Sequence, residues 1–214
     1  MKMKFFAALS AFLILTLTGC GSDHNDPPPL FVTEILSDAT IDGDIQLDFT
    51  GALTIAQGNT ESVFAGIDPV SGDEYRAFLH FPLASVPATA NIQSAFLEIF
   101  INNIVTSTDR IPLRIDLVSF QPPVLIESDF NFQARLTVPP VTFPIFLTDL
   151  GEYVRIDVTP LMIAAQRPPQ LADFQIRIMM DFETVPPGKI EINDTTNPAN
   201  RNTYAPLLTV NYFL

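Results

Sequence analysis

The sequence predicts an all-β fold, an antiparallel β-sandwich of the jelly-roll kind, and three observations carry that prediction. Apolar residues alternate with period two over ten or more short segments, prolines and glycines fall between those segments, and only one segment has helical character. A parallel α/β fold needs a long helical crossover for each strand pair, and the sequence supplies none. With 214 residues, 47% hydrophobic and 16% charged, the chain can bury one full core, so a single domain suffices.

Residues 1–19 stand outside that domain. Lys2 and Lys4 open the chain, Phe5 to Leu17 is an apolar run of 13 residues, and Leu17-Thr18-Gly19-Cys20 follows. The run is too short to span a bilayer as an ordinary helix. Charge, apolar stretch, small residues and cysteine in this order resemble the signal of bacterial lipoproteins. That resemblance implies cleavage after Gly19 and lipidation of Cys20, the chain's single cysteine. Several acyl chains, each methylene contributing about 0.8 kcal/mol, would hold the protein to a membrane without spanning it. Gly21, rather than Asp, after the cysteine implies the outer membrane where the source has two membranes. Removing Lys2 and Lys4 leaves nine basic residues against 24 acidic ones and a formal charge of −15. So acidic a surface repels nucleic acid, which is excluded as a partner, and disfavours anionic polysaccharide.

Residues 20–29 read as an extended tether ending in Pro27-Pro28-Pro29, with His24 solvated in it. The domain runs over 30–214. Ile45, Leu47 and Phe49 alternate with Asp44, Gln46, Asp48 and Thr50, a strand with one wet face, and Ala52 to Ala56 and Ser62 to Ala65 are shorter strands. Gly58-Asn59 and Ser71-Gly72-Asp73 supply turns. The centre of the fold is the pair Tyr75 to Phe81 and Ile92 to Ile101. Ala77, Leu79 and Phe81 oppose Arg76, Phe78 and His80 on the first strand, and apolar residues on both faces predict burial between two layers. Ile111 to Phe120 alternates next. Arg135 to Val138 and Val141 to Leu147 are interrupted by prolines that suit sheet edges. Glu152 to Val158 runs into Thr159-Pro160, read as an N-cap and a first-turn proline for a short helix over Leu161 to Gln166. Phe174 to Phe182, Lys189 to Ile192 and Leu207 to Phe213 complete the strands, with Asn193 to Thr203 a polar loop. Proline pairs at 122–123, 139–140, 168–169 and 186–187 separate strands and blunt edges.

Several of these segments, in order, resemble the bacterial surface domain called DNRLRE, related to jelly-roll carbohydrate-binding modules and to the TGF-β propeptide-like fold. An arginine-led strand, Tyr75-Arg76-Ala77-Phe78-Leu79-His80-Phe81, precedes Ile92-Gln93-Ser94-Ala95-Phe96-Leu97. Asp157-Val158-Thr159 then leads into the helix, and Pro206-Leu207-Leu208-Thr209-Val210-Asn211-Tyr212 ends the domain. The resemblance spans 37–212 and implies a jelly roll that binds polysaccharide and holds a structural calcium. The chain departs from the family in having no tryptophan and in placing His80 where an aspartate is usual.

For chemistry, the sequence offers no G-x-S-x-G elbow, and His80 is the only histidine in the domain, so a non-catalytic protein is expected. Sugar recognition calls for exposed aromatics beside groups that read hydroxyls, and Tyr75, Arg76, Tyr153, Arg155, Arg177 and Tyr204 are the candidates. Arg155 shares a face with Tyr153 and Asp157, and Gln175, Arg177 and Asp181 share another. Adjacent strands would join them into a groove, and the bland alternative is a sheet face laced with salt bridges. Asp38, Asp42 and Asp44 are the candidate ligands for calcium, against the alternative of solvated carboxylates on a strand. The expected partners are a membrane through the lipid, and a polysaccharide or an envelope protein. The expected role is a cell-surface binding or scaffolding module, with a docked structural subunit as the alternative and a polysaccharide-cleaving enzyme as a third reading.

Overall fold

The computed structural model describes residues 27–120, 124–131, 138–181 and 186–214. The signal, Cys20, His24, Pro122-Pro123, residues 135–137 and Phe182 lie outside the described residues. Within them the chain forms β1 (Phe31–Leu36), β2 (Gly43–Leu47), β3 (Leu53–Gln57), β4 (Ser62–Ile67), β5 (Glu74–Pro82), β6 (Asn91–Thr106) and β7 (Arg110–Val118). After helix α1 (Glu127–Asn131) come β8 (Val141–Phe146), β9 (Tyr153–Asp157) and α2 (Thr159–Gln166), then β10 (Asp173–Met180), β11 (Gly188–Asn193), α3 (Pro198–Tyr204) and β12 (Leu207–Phe213).

All pairings are antiparallel, in the order β1-β12-β6-β11-β4-β5-β10-β7-β8, with β9 beside β6 and the hairpin β2–β3 beside β5. The sheet curls into a sandwich of the jelly-roll-like kind, as the alternation predicts. The long strand β6 turns the corner: β12 pairs with it over Asn91–Glu98, and β11 over Ile101–Thr106, with a register shift between Glu191 and Ile192. Gly66 permits the crossing of β4 and β11. Its φ is +110° and a Cβ there would lie 2.1 Å from the Gly188 carbonyl oxygen. Gly66→Ala is therefore expected to lower stability by about 2 kcal/mol, read as a lower urea midpoint at unchanged slope.

Ala77, Leu79 and Phe81 of β5, Ala95, Leu97, Ile99 and Ile101 of β6, and Phe174, Ile176 and Ile178 of β10 meet in the main core with exposures of 0%. Each of the Leu, Ile and Phe side chains among them contributes on the order of 1.5–3 kcal/mol by leaving water. The far face of β5 is covered as well. Phe78 packs with Ile45, Val118, Phe120, Leu125 and Phe130 in a second, smaller cluster. Its ring meets that of Phe120 edge-on at 5.8 Å. The two-sided burial expected of β5 is thus supplied by the hairpin β2–β3 on one side of the cluster and the α1 segment on the other.

Four expectations need correction. Phe49, placed on a core face, is 80% exposed because the strand ends at Leu47 and Asp48 turns the chain, accepting from the Thr50 and Ala52 N–H groups. Asp44, placed on the wet face, is buried where β2 is sandwiched between β3 and β5. Thr159 is the first helical residue of α2 and not its cap; its hydroxyl accepts from the Ala95 N–H at 2.9 Å and so fastens the helix to β6. Part of the polar loop is helical: Asn197 caps α3, accepting from the Ala199 N–H at 3.0 Å. Neither β1 nor α1 is legible in the alternation.

Candidate functional site

The six residues singled out for sugar recognition fall in three places. The first is the outer face of the sheet around β6. Register puts Arg155 opposite Glu98, Tyr153 opposite Phe100 and Asp157 opposite Phe96, and period two turns all six away from the core. The Arg155 guanidinium lies 4.0 Å from the Phe96 ring centroid and 3.5 Å from the Glu98 carboxylate. Phe100 is flanked edge-on by Tyr153 at 5.0 Å and by Tyr204 of α3 at 4.8 Å. The Tyr153 hydroxyl donates to the Thr203 carbonyl. Partial burial, then the nearby Tyr204 and Glu98, raise the Tyr153 phenol above its ordinary value, so it stays a neutral donor. Tyr153 is 50% exposed and forms one end of the face. Towards β12 the face turns polar, with Asn211 donating to the Ser94 hydroxyl at 2.8 Å.

The second place is buried. Arg76 and Arg177 meet beneath α1, where both donate to the Phe130 carbonyl, and the Phe130 ring covers the Arg76 guanidinium at 3.9 Å. Arg76 pairs with Glu74 at 2.7 Å, and Arg177 with Asp116 at 2.7 Å, with Arg114 also reaching Asp116 at 3.3 Å. Burial, ahead of the neighbouring arginines, lowers the Arg76 pKa. These arginines fasten the α1 segment to β5, β7 and β10 and offer no open surface. β9 and β10 do not neighbour each other, so Arg155 and Arg177 share no groove.

Tyr75 occupies the third place, on the outer face where β4 meets β11. Its ring lies 5.7 Å from that of Phe64 and 4.9 Å from the Lys189 ammonium, which is held by Asp68 at 2.6 Å.

The three candidate calcium ligands each accept hydrogen bonds within the fold. Asp38 accepts from the Thr40 N–H and hydroxyl at 3.0 and 2.6 Å in its own turn. Asp42 accepts from the His80 N–H at 2.7 Å, and Asp44 from the Phe64 N–H at 3.2 Å. Among the described residues no three acidic, histidine or cysteine side chains form a metal-holding group. The partner that the sequence hides is Asp194, which faces Asp42 in the interior while Arg201 reaches it at 3.4 Å. Burial, then the charge of Asp194, raises Asp42 well above the usual carboxylate range; burial raises Asp194 to about 6 and Asp44 to about 7. His80 is buried with its Nε2 3.4 Å from Asp173.

No protein-family model matches the chain, and no curated protein matches it.

Proposed function

We propose that the chain is a lipid-anchored, non-catalytic binding module of the cell surface, and that it takes polysaccharide on the outer face of β9, β6 and β12. The observation that carries this reading is the row Tyr153, Phe100, Tyr204 beside Arg155, Glu98 and Phe96. Aromatic rings in contact with a guanidinium and a carboxylate, open to solvent and followed by amide and hydroxyl groups, suit a ring that is apolar on its faces and polar at its rim. A neutral polymer fits better than an anionic one, given the charge. The lipid anchor follows from the resemblance at Leu17 to Cys20, and Cys20→Ser is expected to release the protein from the membrane fraction. His80, inside the sandwich, is assigned a structural part, and no reaction is proposed.

The full-length protein is expected to bind one or more of a panel of neutral polysaccharides, read by affinity electrophoresis or calorimetry. Tyr153→Ala and Arg155→Ala are each expected to weaken binding about tenfold. An absence of binding across the panel would abandon the polysaccharide reading. A specific feature then favours a docked protein partner. Phe146, Leu147 and Leu150, exposed by 41%, 52% and 53%, form an apolar corner between β8 and β9. Each of these strands pairs with a single neighbour, β8 with β7 and β9 with β6.

A further inference from the structure

The end of the sandwich where β1 begins is built from segments without charge. Phe31 of β1 pairs with Tyr212 of β12, and Tyr212 pairs in turn with Ile92 near the start of β6. Gln170 donates to the Ala88 carbonyl and brings the stretch after α2 to the same rim. Residues 27–33, 82–97 and 202–214 contain no charged side chain, in a chain with 24 acidic ones. The first acidic groups met along these strands are Glu34, opposite Thr209, and Glu98, opposite Leu207, with Asp157 of β9 opposite Phe96.

This end also exposes apolar side chains. Leu30, Val32 and Leu214 are each more than half exposed, and Phe31, exposed as well, stacks on Tyr212 with ring centroids 5.8 Å apart. The register Phe31↔Tyr212 sets Leu30 beside Phe213 and Leu214, so the apolar residues of both strands finish side by side. Single exposed apolar residues are ordinary on a protein surface. These are set apart by the chain that leads to them. Cys20 lies ten residues before Leu30, and ten residues reach at most about 35 Å. A lipid on Cys20 therefore keeps this end close to a bilayer, where a contact too weak to hold a free protein becomes intramolecular. The rest of the acidic surface is repelled by anionic lipid, and the uncharged end is not.

The depth of contact follows from the sheet edge. Among the described strands β1 pairs with β12 alone, so its outer edge keeps N–H and C=O groups that need water or head groups as partners. We propose that Leu30, Phe31, Val32 and Leu214 seat this end of the domain in the head-group layer of the bilayer that holds Cys20. The seat rests on the lipid anchor proposed above and is independent of polysaccharide binding. It also gives the domain a direction. Phe100 lies nine residues beyond Asn91 on β6, about 30 Å along a strand, so the Tyr153 end of the outer face is carried away from the lipid.

The chain contains no tryptophan, so one introduced indole reports its own surroundings. The full-length chain is expressed in a bacterial host, its membrane form is purified, and intact mass reads acylation at Cys20. The protein is then reconstituted in zwitterionic vesicles with and without brominated acyl chains. Val32→Trp places the reporter at the seat. Val70→Trp and Leu147→Trp place it near the far end of β6: Val70 lies in the turn whose Asp68 holds Lys189, opposite Val105, and the Leu147 N–H donates to the Asp109 carbonyl. The expected result is a blue shift of Val32→Trp on reconstitution and bromine quenching about twofold or more above that of either control, as an interfacial contact requires. Adding Leu30→Ser and Leu214→Ser should abolish the shift without moving the urea midpoint, since both side chains are exposed. Equal quenching at the three positions, quenching at Val70→Trp or Leu147→Trp alone, or a Val32→Trp signal untouched by the serine substitutions would overturn the seat and leave the anchor standing. A Cys20 without acyl chains would remove anchor and seat together.

Discussion

Asp116→Ala is expected to lower the stability of the domain by about 3–5 kcal/mol, the cost of leaving a buried charge without its partner. Asp116 is 1% exposed and accepts from Arg177 at 2.7 Å and from Arg114 at 3.3 Å. Without it, two guanidinium groups remain near a third, Arg76, whose own carboxylate is Glu74. The damage should reach α1, because Arg177 also donates to the carbonyls of Asp129 and Phe130. Urea unfolding of Asp116→Leu, Arg177→Met and Asp116→Leu/Arg177→Met, alongside Asp116→Ala, measures the coupling. The double variant should recover part of the loss, since the pair then needs no desolvation of charge, while Arg114 still loses Asp116 and the Asp129 carbonyl still loses Arg177. A loss below about 1 kcal/mol for Asp116→Ala would mean that the pair is solvated and that α1 does not seal it.

These buried pairs mark the boundary of what the sequence discloses. The face of β9 is readable, because Tyr153, Arg155 and Asp157 alternate with Val154 and Ile156 and period two admits one assignment. Its partner across the ladder is not readable: Phe96, Glu98 and Phe100 alternate just as plainly in β6, but alternation carries no information about which strand lies alongside. Arg76 and Arg177 look like surface residues for the same reason. They follow the polar phase of β5 and β10, and only the α1 segment, whose covering position has no periodic signature, makes that phase interior. Asp42 and Asp194 lie 152 positions apart in the chain, and a carboxylate facing another in the core looks in sequence like any solvated aspartate. β1 is not legible because its apolar phase is weak: Ile35 is buried, but on the same face Thr33 is polar and Phe31 is 37% exposed. The fold, by contrast, is dictated by β5 and β6, whose alternation is long enough to fix both faces.

The same acidic interior sets the pH dependence. Asp44 is 4% exposed, accepts a hydrogen bond from the Phe64 N–H, and has its pKa raised by burial from 3.8 to about 7. A carboxyl group raised in the folded state holds its proton more tightly there than in the unfolded chain. Its contribution is therefore complete at low pH and is lost as pH rises from about 4 through 7, after which it changes no further. Asp194, raised to about 6, and Asp42, raised further into the interior's preference for the neutral form, add to the same slope. The protein should be more stable at pH 4.5 than at pH 8. Asp44→Asn preserves the shape and the acceptor while removing the charge. It is expected to leave stability at pH 4.5 nearly unchanged and to raise it at pH 8 by on the order of 3 kcal/mol. Urea midpoints of the two proteins at four or five pH values test this. A calcium ion seated on Asp44 would reverse the sign, since the ion needs the charge: Asp44→Asn would then lose stability at pH 8, and chelator would lower the midpoint of the unsubstituted protein alone. One titration series with and without chelator thus separates a carboxyl group that folds with its proton from one that folds around an ion.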